Sequence, residues 1–157
     1  MDTPENVAVL NIKGVRSRVE VSGIHGIFYR VLVGGEPQKQ VKGRWLLPAA
    51  GGKTVVLRQR GFLPGFQKLV ADDEVVYQLG AYVPVWLRVL MFLPFLLIAV
   101  NPIFGIVLAI LLFFMNVMVV KNPQMPIALR IILPVVNTVA AAIILLILAS
   151  AATSSAA

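Results

Sequence analysis

Between Val89 and Val120 the chain runs thirty-two residues without a charged side chain, and Asn101 and Pro102 stand near the middle of that run. A bilayer core about 30 Å thick is crossed by roughly 20 helical residues, so the run is too long for one ordinary crossing and barely long enough for two. Asn-Pro is a turn dipeptide, because proline lacks a backbone donor and disfavours helix at the residue before it. The next charges along the chain, Lys121 and Arg130, are both basic. Basic loops stay on the cytoplasmic side, and a single kinked helix over 89–120 would carry this loop outside, whereas a hairpin turning at Asn101-Pro102 brings it back. The hairpin fits the charge rule. Each of its arms has only about sixteen to eighteen residues, roughly 24 to 27 Å of helix. Arms that short thin the bilayer or pack against a larger neighbour. A re-entrant hairpin that never fully crosses also returns Lys121 to the same side, and it stays open.

Three transmembrane helices are predicted, at about 84–100, 103–120 and 126–150, with a short uncharged tail over 151–157. Pro126 suits a first helical position, and Pro94 and Pro134 are expected to kink the first and third spans. Tyr82, Trp86, Arg88, Lys121 and Arg130 sit where interfacial anchors belong, aromatic rings at the headgroups and long basic side chains reaching back to them. No acidic or basic side chain falls deep within a span, which argues against a proton relay or an ion pump in this chain.

All seven acidic residues lie between Asp2 and Glu74, together with eleven of the fourteen basic ones. Beyond Gly80 only Arg88, Lys121 and Arg130 are charged. The composition therefore divides the chain into a polar domain over 1–80 and a membrane domain over 81–150. The first residues, Met1 to Asn6, carry no basic stretch leading into an apolar one, so the N-terminal domain is expected in the cytoplasm and the C-terminus outside a bacterial inner membrane. There are no cysteines, which excludes disulfides, thiolate nucleophiles and cysteine-ligated metals. A pI near 10.3 suits the positive-inside bias and anionic lipid, and nucleic acid is not needed to explain it.

Within 1–80 the pattern changes every six to ten residues, with breaks rich in Gly and Pro. Val15 to Val21 alternates apolar and polar, and Ile27, Tyr29, Val31 and Val33 continue that period. Turns are expected at Lys13-Gly14, Ser22-Gly23, Gly34-Gly35-Glu36-Pro37, Ala50-Gly51-Gly52-Lys53, Gly61 to Gly65 and Ala71 to Glu74. Six or seven short strands follow, and with them a small antiparallel β-sandwich or barrel. The whole is an α+β membrane protein. Tyr29 to Glu36 and Phe66 to Glu74 look alike, each with an aromatic three residues before an apolar pair and then an acidic turn.

Arg16, Arg18, Lys39, Lys42, Arg44, Arg58 and Arg60 fall mostly at polar strand positions. They mark either a surface for anionic lipid or an acidic partner, or a solvated strand face. In the spans, Asn116, Asn137 and Thr138 are the polar residues, and small residues recur four apart at Gly105 and Ala109, Asn137 and Ala141, and Thr138 and Ala142. Such faces let helices approach closely, within this bundle or against a partner's helices.

His25, the only histidine, lies in a Gly-flanked turn, and Asp72, Asp73 and Glu74 lack the ligand spacing of a calcium loop. No phosphate-binding glycine motif, nucleophile elbow or acid–base pair is present. The expectation is a protein that is not an enzyme and takes no cofactor or metal: an accessory or regulatory subunit docked laterally on a larger membrane complex, one that transports lipid or solute. The alternatives are a lipid-handling protein or enzyme with a site at the domain–membrane boundary, and a homo-oligomeric channel. Tyr29-Arg30-Val31-Leu32-Val33-Gly34-Gly35-Glu36 resembles the repeated hairpins of Fas-apoptosis-inhibitory-molecule-type β-sandwiches, whose usual Asp-Gly-Lys turn Gly34-Gly35-Glu36 matches in part. The plan of a basic β-domain followed by short, Pro-interrupted spans resembles small actinobacterial envelope proteins, some of which accompany lipid importers of the Mce type. That resemblance implies an importer as partner and assigns no catalytic residue.

Overall fold

The computed structural model describes residues 6–154, with side chains through Ala151. The expectations for Met1 to Glu5 and for 155–157 lie outside the described residues. The chain forms two compact units, one running through Tyr82 and the other starting at Val83.

The first unit is two antiparallel four-stranded sheets, each a simple meander. One is ordered β1 (Val7–Leu10), β2 (Val19–Ser22), β3 (Arg30–Val33), β4 (Glu36–Pro37). The other is ordered β5 (Arg44–Pro48), β6 (Thr54–Arg60), β7 (Lys68–Ala71), β8 (Glu74–Gln78). Both sheets contribute alternate residues to one core. Val19, Val21, Val31 and Val33 come from the first sheet, and Trp45, Leu47, Leu57 and Leu69 from the second. Eight strands form where six or seven were expected, and they are shorter. The stretch before Val19 and the stretch before Arg30 are loops, so the alternation seen at Val15 and Ile27 is not strand.

The two sheets are the same meander twice. Arg30 and Lys68 open the third strands, and Glu36 and Glu74 open the fourth, each pair 38 residues apart. The special backbone positions follow the same offset. Gly34 and Gly35 have φ of 61° and 88°, and Asp72 and Asp73 have 48° and 62°, so both hairpins close on two consecutive left-handed residues, the turn that matches strand twist. Asp tolerates this conformation better than most L residues. The equivalence pairs Gly34 with Asp72, one residue away from the alignment suggested by the aromatics at Tyr29 and Phe66.

The second unit is helical: α1 (Val85–Leu90), α2 (Leu97–Val100), α3 (Pro102–Lys121) and α4 (Ile127–Ser154), with a 3₁₀ turn over Leu93–Leu96. Two helices, not three, are long and apolar enough to cross a bilayer: Pro102–Lys121 and Ile127–Ala151. The expected span 84–100 is broken because Pro94 has no N–H to give the carbonyl of Leu90, where α1 ends. The chain continues in tighter i→i−3 bonds, from Phe92 N–H to Val89 O and from Phe95 N–H to Phe92 O, both 3.0 Å. Pro134, by contrast, leaves α4 continuous. The expected tail from Ala151 is helical to Ser154, as an alanine-rich stretch favours.

The chain reverses at Asn101-Pro102. Asn101 is extended, and its side-chain oxygen accepts from the Ile103 and Phe104 N–H groups at 3.1 Å, capping α3 with Pro102 in the first turn. The arms run antiparallel: Gly105 lies against the Leu97 backbone, and farther from the turn Phe113 stacks with Phe95 and Phe92 at centroid distances of 5.8 and 5.1 Å. Leu97 also packs with Ala141 and Leu145 of α4.

Candidate functional site: a basic sheet face and a basic helix end

Register decides which basic residues share a surface. On the outer face of the second sheet, Arg44 on β5 stands directly opposite Arg58 on β6, and Arg60 stands directly opposite Lys68 on β7. Alternate residues point inward, Trp45, Leu47, Leu57 and Leu69 being buried, so Arg44, Arg58, Arg60 and Lys68 project outward together. Like charges directly opposite each other cost a few tenths of a kcal/mol each. Arg60 is relieved by Asp73, at 2.8 Å, whereas Arg44 and Arg58 make no ion pair among the described residues. Leu46, 61 % exposed, lies next to them, and Val41, Lys42, Arg44 and Leu46 line a shallow groove at the β5 edge.

The first meander serves as an internal comparison. At the position of Arg58 it carries Glu20, which pairs with Arg18 at 2.7 Å. At this one position the two copies of the frame thus differ in charge, a paired carboxylate in the first and an arginine in the second.

The seven basic residues singled out in the sequence lie on several different elements. Arg16 and Arg18 lie in the β1–β2 connection, Lys39 and Lys42 lie between β4 and β5, and Arg44, Arg58 and Arg60 lie on the second sheet. Lys68 joins that face through strand pairing alone, which no local pattern reveals.

The helical unit gathers its three charges at one end. Arg88 begins the first arm, Lys121 ends α3 and Arg130 lies in the first turn of α4, so the antiparallel packing puts them together, opposite the Asn101 turn. Val83-Pro84-Val85-Trp86-Leu87-Arg88 and Met125-Pro126-Ile127-Ala128-Leu129-Arg130 are one local design. In each, the arginine Nε donates to the carbonyl before the proline, Val83 O at 3.0 Å and Met125 O at 2.8 Å. Those carbonyls have no helical N–H to accept from, and the guanidinium closes the helix start from the side. Trp86 and Tyr82 are about half exposed, whereas Lys121 is fully buried.

The small-residue faces are used inside the unit. Gly105, Ala109, Asn116, Thr138 and Ala141 are all buried, and Asn137 and Ala142 are half-buried. Thr138 Oγ1 donates to Pro134 O at 2.7 Å. Neither the nitrogen nor the oxygen of the fully buried Asn116 side chain has a hydrogen-bond partner among the described residues, so it does not pair with Asn137. Outward faces carry large apolar residues such as Ile103, Val107, Leu111, Met118, Val136 and Ile147.

His25 donates its backbone N–H to Asn6 Oδ1, and its Nδ1 lies 3.1 Å from the Tyr82 hydroxyl, so this imidazole ties a loop to the end of the unit. In the acidic turn, Asp73 pairs with Arg60, and Glu74 lies 3.4 Å from Lys13. No group of three metal-ligating side chains occurs among the described residues. Burial pushes the Tyr29 hydroxyl up to about 12, and its oxygen lacks a partner beside Trp45. Comparison with known proteins found no matching family, no matching curated protein and no matching solved structure.

Proposed function

We propose that the protein is a non-enzymatic accessory subunit of a larger membrane complex, its helices docked laterally in the bilayer and its β-sandwich engaging an acidic surface of that complex. One observation carries this reading: Arg44 and Arg58 stand directly opposed on the outer face of the second sheet, in no ion pair among the described residues, beside exposed Leu46. A mixed basic and apolar face of this kind suits a partner carrying carboxylates around an apolar centre. The broken first arm supports the same reading, since an arm shorter than the bilayer core is best shielded by a neighbour. Arg88, Lys121 and Arg130 at one end of the helical unit favour that end on the cytoplasmic side of a bacterial inner membrane. The test is to extract the full chain from its native membranes in mild detergent and measure the size of the species that carries it. Migration with an assembly several times its own 17.0 kDa supports the proposal, and a lone monomer in every mild detergent overturns it.

A further inference from the structure

The end of the β-sandwich from which the chain leaves for its apolar helices is built unlike the other end. Two equivalent loops meet there, the β2–β3 loop from Gly23 and the β6–β7 loop from Gly61, related by the same 38-residue offset as the sheets. The first reaches the exit segment through His25, whose Nδ1 lies 3.1 Å from the Tyr82 hydroxyl. The second reaches it through Phe66, whose ring packs on Gly80, and through Gln67, whose carbonyl accepts the Leu79 N–H at 3.0 Å. Each loop holds one large aromatic out into solvent: Phe28 is 84 % exposed and Phe62 is 92 % exposed, the two most exposed large apolar side chains among the described residues.

Along the third strand of each sheet, charge follows the same polarity. Arg30 and Lys68, both exposed, stand at the bases of these loops as the first residues of β3 and β7. The acidic residues Glu36, Asp72, Asp73 and Glu74 sit at the opposite ends of those strands, in the β3–β4 and β7–β8 turns. Tyr82 is only three residues before Val85, the first residue of α1, so a covalent tether of roughly 10 Å at full stretch joins this end to the apolar helices.

We infer that Phe28 and Phe62 insert into the headgroup region of the bilayer, with Arg30 and Lys68 against anionic headgroups. An exposed aromatic gains little from water and much from an interface, where ring and basic rim find complementary surroundings together. The inference rests on the helices spanning a bilayer, as the proposed function has it.

The cysteine-free chain lends itself to single-site labelling. Full-length Phe28→Cys and Phe62→Cys carry a nitroxide and are reconstituted in phosphatidylcholine–phosphatidylglycerol vesicles. Val75→Cys, which is 55 % exposed beside the distal Asp72-Asp73 turn, is the comparison. Vesicles are first washed at alkaline pH and floated. Collisions with oxygen exceeding those with a water-soluble nickel chelate at 28 and 62, and the reverse at 75, support the inference. Equal access of the nickel chelate to all three sites overturns it while leaving the spanning helices intact, as does protection of 28 and 62 from both reagents, which means burial against protein. Loss of the protein from the floated vesicles overturns the spanning reading and this inference with it.

Discussion

Gly105→Ala distinguishes a tight hairpin from a long kinked helix by the sign of its effect. In an exposed helix interior the change stabilises by about 1 kcal/mol, because alanine loses less backbone entropy than glycine. In this structure a Cβ at Gly105 would meet the Leu97 carbonyl, 2.7 Å from its carbon, and lie 3.0 Å from Ile98 Cα. All of these atoms are backbone, so no rotamer change relieves the contact and the arms must separate. Overpacking of this kind costs about 1 to 3 kcal/mol, and a gap of about 1 Å forfeits up to half of the dispersion energy along the seam. The helix gain offsets part of that, leaving a net loss of about 1 to 2 kcal/mol. Reversible unfolding in mixed micelles with increasing dodecyl sulfate, followed by helical circular dichroism, measures it. Val107→Ala, on the outward face and 57 % exposed, reports the propensity effect alone. If Gly105→Ala stabilised as Val107→Ala does, the close approach of the two arms would be refuted.

Asn116→Leu should stabilise the helical unit by about 1 kcal/mol in the same assay, because the change removes a buried amide whose two polar atoms have no partner; destabilisation would mean that the amide is hydrogen-bonded. Tyr29 gives the sandwich an alkaline limit. The unfolded chain ionises its tyrosine near 10 and the folded one near 12, so this stability is complete below pH 10 and drains away as pH rises towards 12. Since the ring is partly solvated, a loss of about 1 kcal/mol is expected, and Tyr29→Phe should flatten alkaline denaturation followed by Trp45 fluorescence. An unchanged alkaline midpoint in Tyr29→Phe would remove Tyr29 as the cause.

Much of this architecture is written in local chemistry. The Gly34-Gly35 and Asp72-Asp73 turns, the inward valines and the Asn101-Pro102 reversal follow from residue preferences that act over two to four positions. Asn101 was readable as a turn, and its side chain also serves as the cap of the next helix. What local reading misses depends on register. Whether Arg44 faces Arg58, and whether Lys68 joins them, is decided by strand pairing across the sheet, and a slip of one residue would turn every one of these side chains to the other face. The repeat shows in the sequence, but the turns carry its equivalence, and the aromatics at Tyr29 and Phe66 lie one residue out of step with them. The first arm departs from a single span for a related reason. Apolar content measures burial, and a single Pro94 decides whether that content is one helix or three short pieces.

The proposed contact with a larger membrane assembly lies on the outer face of the second sheet. Its most direct test compares the full-length wild type with Arg44→Glu/Arg58→Glu, each expressed in its own membranes, extracted in mild detergent and separated by native size. Both side chains are exposed and bonded to no carboxylate among the described residues, so folding should survive the exchange, and an unchanged thermal transition would verify that. Two reversed charges at a close electrostatic contact cost several kcal/mol. The wild type should migrate with a large complex, and the folded double variant should leave it. Equal retention of both proteins in the complex, or a wild type that migrates alone, would contradict it.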